Sequence, residues 1–405
     1  MILVISDYQK PLIQRFASIL NISIVKVYKV QNTHQNNKNK AIMLCLGLFF
    51  LVAPTETALK TEQYYYIVCG VIAFIAWVNN GFRLRYDYTI AILLYLIYSL
   101  LSCFWSPNPE VSRYAIVKTV ALVFLLITLQ FKYSTYDYHR IKQYLVLQQI
   151  VLLAMFLRFG RIDWDGRLWI GSGGISTDPN SYTMWTILPL ALLVEKLTSK
   201  EEKTIWKLFY LIALISSLYI VLLSSSRSGI IINLAAICIC VLYRFKDYLR
   251  KSPGRSVLLL LIFIIMIIVV YVNIPDFVLR RFSAADTREL GGRTRIWGRF
   301  FSILNEHKWG YLVGLGEYST VFYSPTGSVA HSVVIEILFS QGIIGLSFVL
   351  YYMFNAMRNV FKRDVYAGVG CLFTFIMSLT LSEFTSRPVM TAMFIGGMII
   401  LDNDD

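Results

Sequence analysis

Arginines and one histidine are the residues of this sequence best suited to chemistry. Arg227 stands in the stretch LSSSRSG, inside an otherwise apolar run, and His331 follows an arginine-rich segment, 276–330. An arginine at the centre of a bilayer costs about 3 kcal/mol. A guanidinium can grip phosphate oxygens in bidentate fashion, and an imidazole can take a proton near neutral pH. The pattern indicates a site for a phosphorylated substrate with a general base. The alternative is that the arginines are solvated or contact lipid headgroups and that His331 is a packing residue.

Composition sets the class of protein. Of the 405 residues, 57% are hydrophobic, and many apolar runs have the length of a membrane span. This excludes an ordinary soluble domain and predicts an all-α polytopic membrane protein, because a helix satisfies its own backbone in lipid. The cysteines all lie in apolar stretches without metal-ligand spacing, so we expect neither a disulfide framework nor a zinc site. We predict about twelve transmembrane helices, centred near residues 47, 71, 96, 121, 151, 188, 214, 236, 265, 342, 374 and 394.

The basic residues of the short loops predict the orientation. They concentrate in alternate loops, which the positive-inside rule assigns to the cytoplasm, together with both termini. The predicted organisation is a cytoplasmic arm over 1–40, spans one to nine over 41–275, a long outward loop over 276–330, and spans ten to twelve over 331–405. Six arginines and one lysine lie in the outward loop, which is long enough to translocate regardless of charge.

The outward loop has a pattern of its own. Its apolar residues after Arg293 recur at helical spacing and predict an amphipathic helix that ends near Glu306 and has Arg295 and Arg299 on one side. The following GLGE, residues 314–317, predicts a turn whose glycines allow close backbone approach.

The run around Arg227 is best divided into two spans joined by a tight turn at the outer face. The serines of this turn can cap the returning helix, and Gly229 permits close packing. The amino terminus of that helix, with its partial positive charge, adds to the guanidinium as an anion site.

Four motifs together carry a family resemblance. In chain order these are TDPNSYTMWTILPL, SSSRSG, GGRTRIW with GLG, and AHSVVIEILFSQGIIGL. Their combination resembles the superfamily of O-antigen ligases and Wzy-type O-antigen polymerases. They cover about residues 171 to 345. One departure is Ser332, where many relatives have asparagine, which puts a neighbouring hydrogen bond in doubt.

The resemblance implies a glycosyltransferase of GT-C-type architecture that needs no metal or cofactor. Such enzymes pass a glycan from undecaprenyl pyrophosphate to an acceptor hydroxyl at the outer, periplasmic face of the bacterial inner membrane. By matching motifs, Arg227 and Arg293 would hold the pyrophosphate, with Arg295 as a less certain third, and His331 would be the general base. Secondary candidates are Asp178 and Asn180 of the Asp-Pro-Asn element, Arg299, Glu383 and Arg387.

Two pairs of residues allow more than one interpretation. Glu383 could orient His331 or contact sugar, and Arg387 could join the phosphate site, but a capping pair at a helix turn explains them equally well. Asp163 and Asp165 form either an acidic dyad or metal site, or a sugar-contacting loop together with nearby tryptophans.

Among activities, the sequence favours a polymerase, which joins one lipid-linked glycan to another, over a ligase, which transfers finished glycan to lipid A core. The expected partners are lipid-linked donor and acceptor, membrane lipid and a chain-length regulator protein, without nucleic acid. A transporter that binds an anionic solute at Arg227 is the alternative from another class. The lack of an internal repeat argues against it.

Overall fold

The computed structural model describes residues 39–52, 62–81, 84–163, 166–171, 178–251, 293–324, 327, 329–381 and 384–401, with isolated positions between 254 and 272. Most of the predicted arm, the ninth span and much of the outward loop lie outside these residues. So do Glu383 and Asp165.

The described chain is mostly helical, as the apolar runs predict. Its helices are α1 (Lys40–Val52), α2 (Glu62–Asn79), α3 (Ile90–Ser102), α4 (Val111–Thr128), α5 (Thr135–Phe159), α6 (Pro179–Thr198), α7 (Thr204–Leu223), α8 (Arg227–Lys251), α9 (Arg293–Glu306), α10 (Gly310–Val313), α11 (Ser319–Tyr323), α12 (Val333–Arg363), α13 (Val365–Ser378) and α14 (Arg387–Gly397).

Within the described ranges, four helices are long and apolar enough to cross a membrane. They are α5, α7, the part of α8 up to Lys246, and α12. Shorter apolar helices lie at several of the other predicted centres, including 47, 71, 96 and 374. The protein is therefore an all-α membrane protein, and the number of spans and their orientation stay predictions.

Helix α6 lies at the centre of the helical core. Most of its side chains are buried, on all sides of the helix, and it packs against α5, α7, α8, α13 and α14. A helix that is apolar all round is expected to be enclosed by others. Its amino terminus is therefore surrounded by the ends of its neighbours.

In the part of the chain that the structure describes, four short strands accompany the helices. Strand β1 (Lys132–Ser134) pairs in parallel with β4 (Ile399–Leu401), and β2 (Gly160–Ile162) pairs antiparallel with β3 (Leu168–Ile170). The apolar periodicity did not predict them, because three-residue strands in loops leave no period to read. The β2–β3 hairpin stands next to the amino terminus of α6, where Tyr182 donates a hydrogen bond to the Leu168 carbonyl.

Helix α12 is broken at Gly342, which has a positive φ of 65°. A Cβ at this position would lie 2.3 Å from the Leu312 carbonyl oxygen. Before the break, the backbone N–H of Leu315 donates to the Phe339 carbonyl and that of Gly316 donates to the Ser340 carbonyl, each at 2.9 Å. The loop after α10 therefore donates backbone hydrogen bonds to two carbonyls of α12. The sequence predicted an unbroken span here.

The GLGE turn makes the close approach that its glycines predicted. Gly314 and Gly316 have φ of 78° and 99°. A Cβ on Gly314 would lie 2.2 Å from the Ser340 carbonyl oxygen, and one on Gly316 would lie 2.4 Å from the Ser106 Cα. Only glycine combines these angles with this space.

A buried ion pair fastens this turn to α3 and α4. The Lys118 ammonium lies 2.9 and 3.0 Å from the two carboxylate oxygens of Glu317. Ser99 donates to the same carboxylate at 2.6 Å, and the Gln341 side-chain amide also donates to it. The Lys118 ammonium lies 4.8 Å from the centre of the Tyr95 ring. This cluster holds the GLGE turn against α3 and α4.

Candidate active site at the helix amino termini

Arg227 is the first residue of α8, after the short turn Ser224–Ser226 that follows α7. Ser225 turns the chain with a φ of 53°, and the Ser226 hydroxyl accepts a hydrogen bond from the Gly229 backbone N–H at 3.1 Å. This serine therefore caps the helix, as predicted. Arg227 thus lies at a helix end, and the division of the apolar run into two helices is confirmed.

Close packing brings the amino termini of α8 and α6 together. A Cβ on Gly229 would lie 2.5 Å from the Thr183 hydroxyl oxygen. One turn later, the Asn233 side chain donates to the Thr183 carbonyl at 3.1 Å and accepts from the Thr186 hydroxyl at 2.9 Å. These contacts fix Arg227 relative to the start of α6.

Asp178 and Asn180 form the start of α6. The Asp178 carboxylate accepts a hydrogen bond from the Asn180 backbone N–H at 2.7 Å, and from its side-chain amide at 2.8 Å, with Pro179 in the first turn. An aspartate at this position is a favourable cap. The Asp-Pro-Asn element therefore has a structural explanation of its own.

Arg167 is a further cation at this place. Its guanidinium lies 4.0 Å from the Asp178 carboxylate, and its Nε donates to the Ser224 carbonyl at 3.1 Å. It also lies over the Trp169 ring, 5.7 Å from the centre. Sequence reasoning counted Arg167 only as an outward basic residue, because nothing in its local pattern connects it with the turn before Arg227.

Arg293 begins α9, and its surroundings place it near Arg227 and Asp178. Burial lowers the pKa of Arg293, Asp178 opposes this, and Arg227 lowers it further. Among the described residues, two guanidinium groups and one carboxylate act on one another here. Such a place favours an anionic ligand.

His331 lies beside Arg293. Burial lowers the pKa of His331 below its ordinary value, the Arg293 guanidinium lowers it further, and Asp178 opposes both. The lowered pKa favours the neutral imidazole, which is able to accept a proton.

The other two arginines of α9 point elsewhere. Arg295 and Arg299 are both exposed, whereas Phe300 and Leu304 form the buried side of the helix. Arg299 donates through Nε to the Tyr323 carbonyl at 3.1 Å. The predicted helix and its end at Glu306 are confirmed.

Arg387 begins α14 on the other side of α6. It is buried, and its guanidinium carbon lies 5.9 Å from the centre of the Trp185 ring. The end of α13 approaches the amino terminus of α8, where the Thr380 and Ser228 hydroxyls lie 3.4 Å apart. Arg387 therefore belongs to the helix ends around α6, but the contacts described for it are with α6 and not with His331.

The Asp163 backbone closes the β2–β3 hairpin. Its N–H donates to the Arg167 carbonyl at 2.9 Å, and its carbonyl accepts from the Gly166 N–H at 2.8 Å. Since Asp165 and Trp164 are not described, the choice between an acidic dyad and a sugar-contacting loop stays a prediction.

The amino termini of α6, α8 and α9 thus supply Asp178, Arg227 and Arg293, and His331 lies two residues before α12. Helix amino termini carry partial positive charge and attract anions. The arrangement could bind a phosphate-bearing group next to a neutral base.

The sequence model of the O-antigen ligase family matches residues 212–350, a range that contains Arg227, Arg293 and His331. No curated protein matches the chain. Residues 212–350 are therefore similar to the O-antigen ligase family, which confirms the resemblance predicted from the sequence.

Proposed function

We propose that this protein is a polysaccharide polymerase. It transfers a glycan from undecaprenyl pyrophosphate to a sugar hydroxyl of another lipid-linked repeat unit. The observation that carries the proposal is that His331, whose pKa is lowered by burial and by Arg293, lies near Arg293, with Arg227 and Asp178 close to Arg293. The O-antigen ligase region supports a role of this general type.

Arg227 and Arg293 bind the donor pyrophosphate in this proposal. Both stand at the first position of a helix, so guanidinium groups and helix dipoles act on the same anion. As the bond between the anomeric carbon and the pyrophosphate oxygen breaks, negative charge grows on that oxygen. Fixed positive groups stabilise this charge without a metal ion. Arg295 is exposed and is the weaker candidate for a third contact.

His331 acts as the general base. It accepts the proton of the acceptor hydroxyl while the oxygen of that hydroxyl attacks the anomeric carbon. The products are the elongated lipid-linked glycan, undecaprenyl pyrophosphate and a proton that leaves from the imidazolium. A single displacement of this kind inverts the anomeric configuration.

The proposed setting is the bacterial inner membrane. The site faces the periplasm, and both termini are cytoplasmic, as the basic loops predict. Undecaprenyl chains lie in the same membrane, so donor and acceptor reach the helix ends from the lipid phase.

A ligase is the second candidate, because the matched family carries that description. Polymerase and ligase share donor chemistry and differ in the acceptor. In a deletion strain, single repeat units on the final anchor indicate a lost polymerase. Full-length lipid-linked polymer that accumulates indicates a lost ligase.

The direct test uses the purified protein in lipid. We expect release of undecaprenyl pyrophosphate from a lipid-linked donor in the presence of a chelator. Arg293→Ala should lower kcat/KM by about a hundredfold, the effect of losing one stabilising group. Lys308→Ala is the matched control, since Lys308 is an exposed cation of the same segment.

Two outcomes would contradict the proposal. If the wild-type protein releases no pyrophosphate carrier but moves an anionic solute or flips the lipid carrier, it is a transporter. If His331→Ala keeps full turnover, His331 is not the base.

A further inference from the structure

Ala330, the residue just before His331, has both of its backbone polar groups hydrogen-bonded. Its N–H donates to the Glu336 carboxylate at 3.0 Å, and its carbonyl, in the peptide that leads to His331, accepts from the Trp297 indole N–H at 2.8 Å. Ala330 is fully buried among Phe300 and Leu304 of α9. Both peptide groups that flank Ala330 are therefore held by side chains.

The same carboxylate reaches a third segment. Its other oxygen accepts a hydrogen bond from the hydroxyl of Thr320, a fully buried residue of α11. Glu336 lies in the first turn of α12. It therefore joins α11, α12 and the residue before His331 through one side chain.

His331 needs such support because of its backbone. Its φ of 52° lies in the left-handed region, which is costly for a residue other than glycine and persists only where the surroundings enforce it. On the other side, the buried Ser332 caps α12, with its hydroxyl accepting from the Ile335 N–H at 3.5 Å. His331 thus stands between two residues that are held in place.

We propose that Glu336 is a positioning residue: it fixes the Ala330 peptide and thereby holds the His331 imidazole beside Arg293. This inference rests on the proposed function for its effect on turnover. Trp297 stands one turn after Arg293 in α9. Its hydrogen bond to the Ala330 carbonyl therefore also fixes His331 relative to the helix that begins with Arg293.

The chemistry of the contact predicts which substitutions matter. Glutamine can still accept from the Ala330 N–H through its carbonyl, and its amide can donate to the Thr320 oxygen once that hydroxyl turns. Alanine can do neither, and it leaves a buried N–H without an acceptor. Glu336→Gln should therefore preserve the position of His331, and Glu336→Ala should lose it.

The experiment measures kcat and donor KM for Glu336→Ala, Glu336→Gln, Glu336→Ala with His331→Ala, and the exposed control Glu306→Ala. Misplacing a reacting group by about 1 Å costs about a hundredfold in rate, so we expect a loss of that size in kcat for Glu336→Ala with donor KM unchanged. Glu336→Gln should keep most of the turnover. In the His331→Ala background, removing Glu336 should cause no further loss, because both changes act through one group.

A second measurement does not depend on turnover. The rate at which diethyl pyrocarbonate modifies His331, followed by mass spectrometry, should rise severalfold in Glu336→Ala and stay at the wild-type value in Glu336→Gln and Glu306→Ala. If Glu336→Ala does not fold, Trp297→Phe serves instead. It removes the hydrogen bond to the Ala330 carbonyl and should give the same rise in the modification rate of His331.

The inference is overturned if the modification rate of His331 does not change, if Glu336→Ala turns over like Glu306→Ala, or if the losses from His331 and Glu336 multiply. Failure of the proposed function looks different. There, the wild-type protein releases no undecaprenyl pyrophosphate, while the modification rates still decide whether Glu336 positions His331.

Discussion

At the scale of single residues, the site is defined by charges that act on one imidazole. Arg293 and Asp178 shift the pKa of His331 in opposite directions, and burial adds to the effect of the arginine. The net result is a lowered pKa, so the base is neutral at neutral pH. Removing the charge of Arg293 or of Asp178 should therefore shift the pH dependence of the reaction.

The first prediction follows from these signs. The value of kcat/KM should rise with pH as His331 loses its proton, with a midpoint below the ordinary value of about 6.5. Asp178→Asn removes the charge that stabilises the imidazolium, so the midpoint should move lower. Arg293→Ala removes a charge that destabilises it, so the midpoint of the residual activity should move higher.

The measurement is a pH profile of donor turnover for the three proteins. Asparagine also caps helices well, so Asp178→Asn should leave α6 intact. Glu306→Gln, which changes an exposed acid of the same segment, is the control and should keep the wild-type midpoint. Shifts of both variants in the same direction would contradict the assignment of the base.

At the scale of elements, helix ends and glycines place the residues. The turn before Arg227 and the capping serine could be predicted because each depends on a few neighbouring residues. Close packing at Gly229 could be predicted from the residue type, but its partner Thr183, on another helix, could not. The break at Gly342 could not be predicted, because it depends on a loop some thirty residues earlier. The backbone N–H groups of that loop donate hydrogen bonds to carbonyls of α12.

The second prediction concerns that break. Gly342→Ala places a Cβ 2.3 Å from the Leu312 carbonyl oxygen at a positive φ, so it should lower the free energy of unfolding by about 2 kcal/mol or more. Gly298→Ala is the matched control. No atom lies within 4 Å of its added Cβ in α9, and it should stabilise by about 0.5–1 kcal/mol. Thermal unfolding in detergent measures both, and equal effects would contradict the packing described.

At the scale of the whole molecule, contacts between distant segments decide how the GLGE turn packs against α3 and α4. Lys118 and Glu317 belong to segments about 200 residues apart, which no local pattern relates. A signal was nevertheless present. A lone lysine in an apolar run requires a partner, as Arg227 did, and Lys118 could have been singled out on the same ground.

The third prediction tests this connection. Lys118→Met leaves the Glu317 carboxylate buried without its counter-ion and should cost roughly 3–5 kcal/mol. Replacing both residues, with Lys118→Met and Glu317→Gln, should recover a large part of this loss. Thermal unfolding of the three proteins in detergent gives the comparison. A double variant that is less stable than Lys118→Met would contradict the pairing.

The break in α12 divides this helix into two lengths. The part after Gly342 runs to Arg363 and is about 32 Å long at about 1.5 Å per residue, which is enough to cross the hydrocarbon layer alone. In the part before it, the Phe339 and Ser340 carbonyls accept hydrogen bonds from the GLGE turn. A thicker or thinner bilayer can therefore be matched by a tilt of the later part, while the base keeps its distance from the arginines.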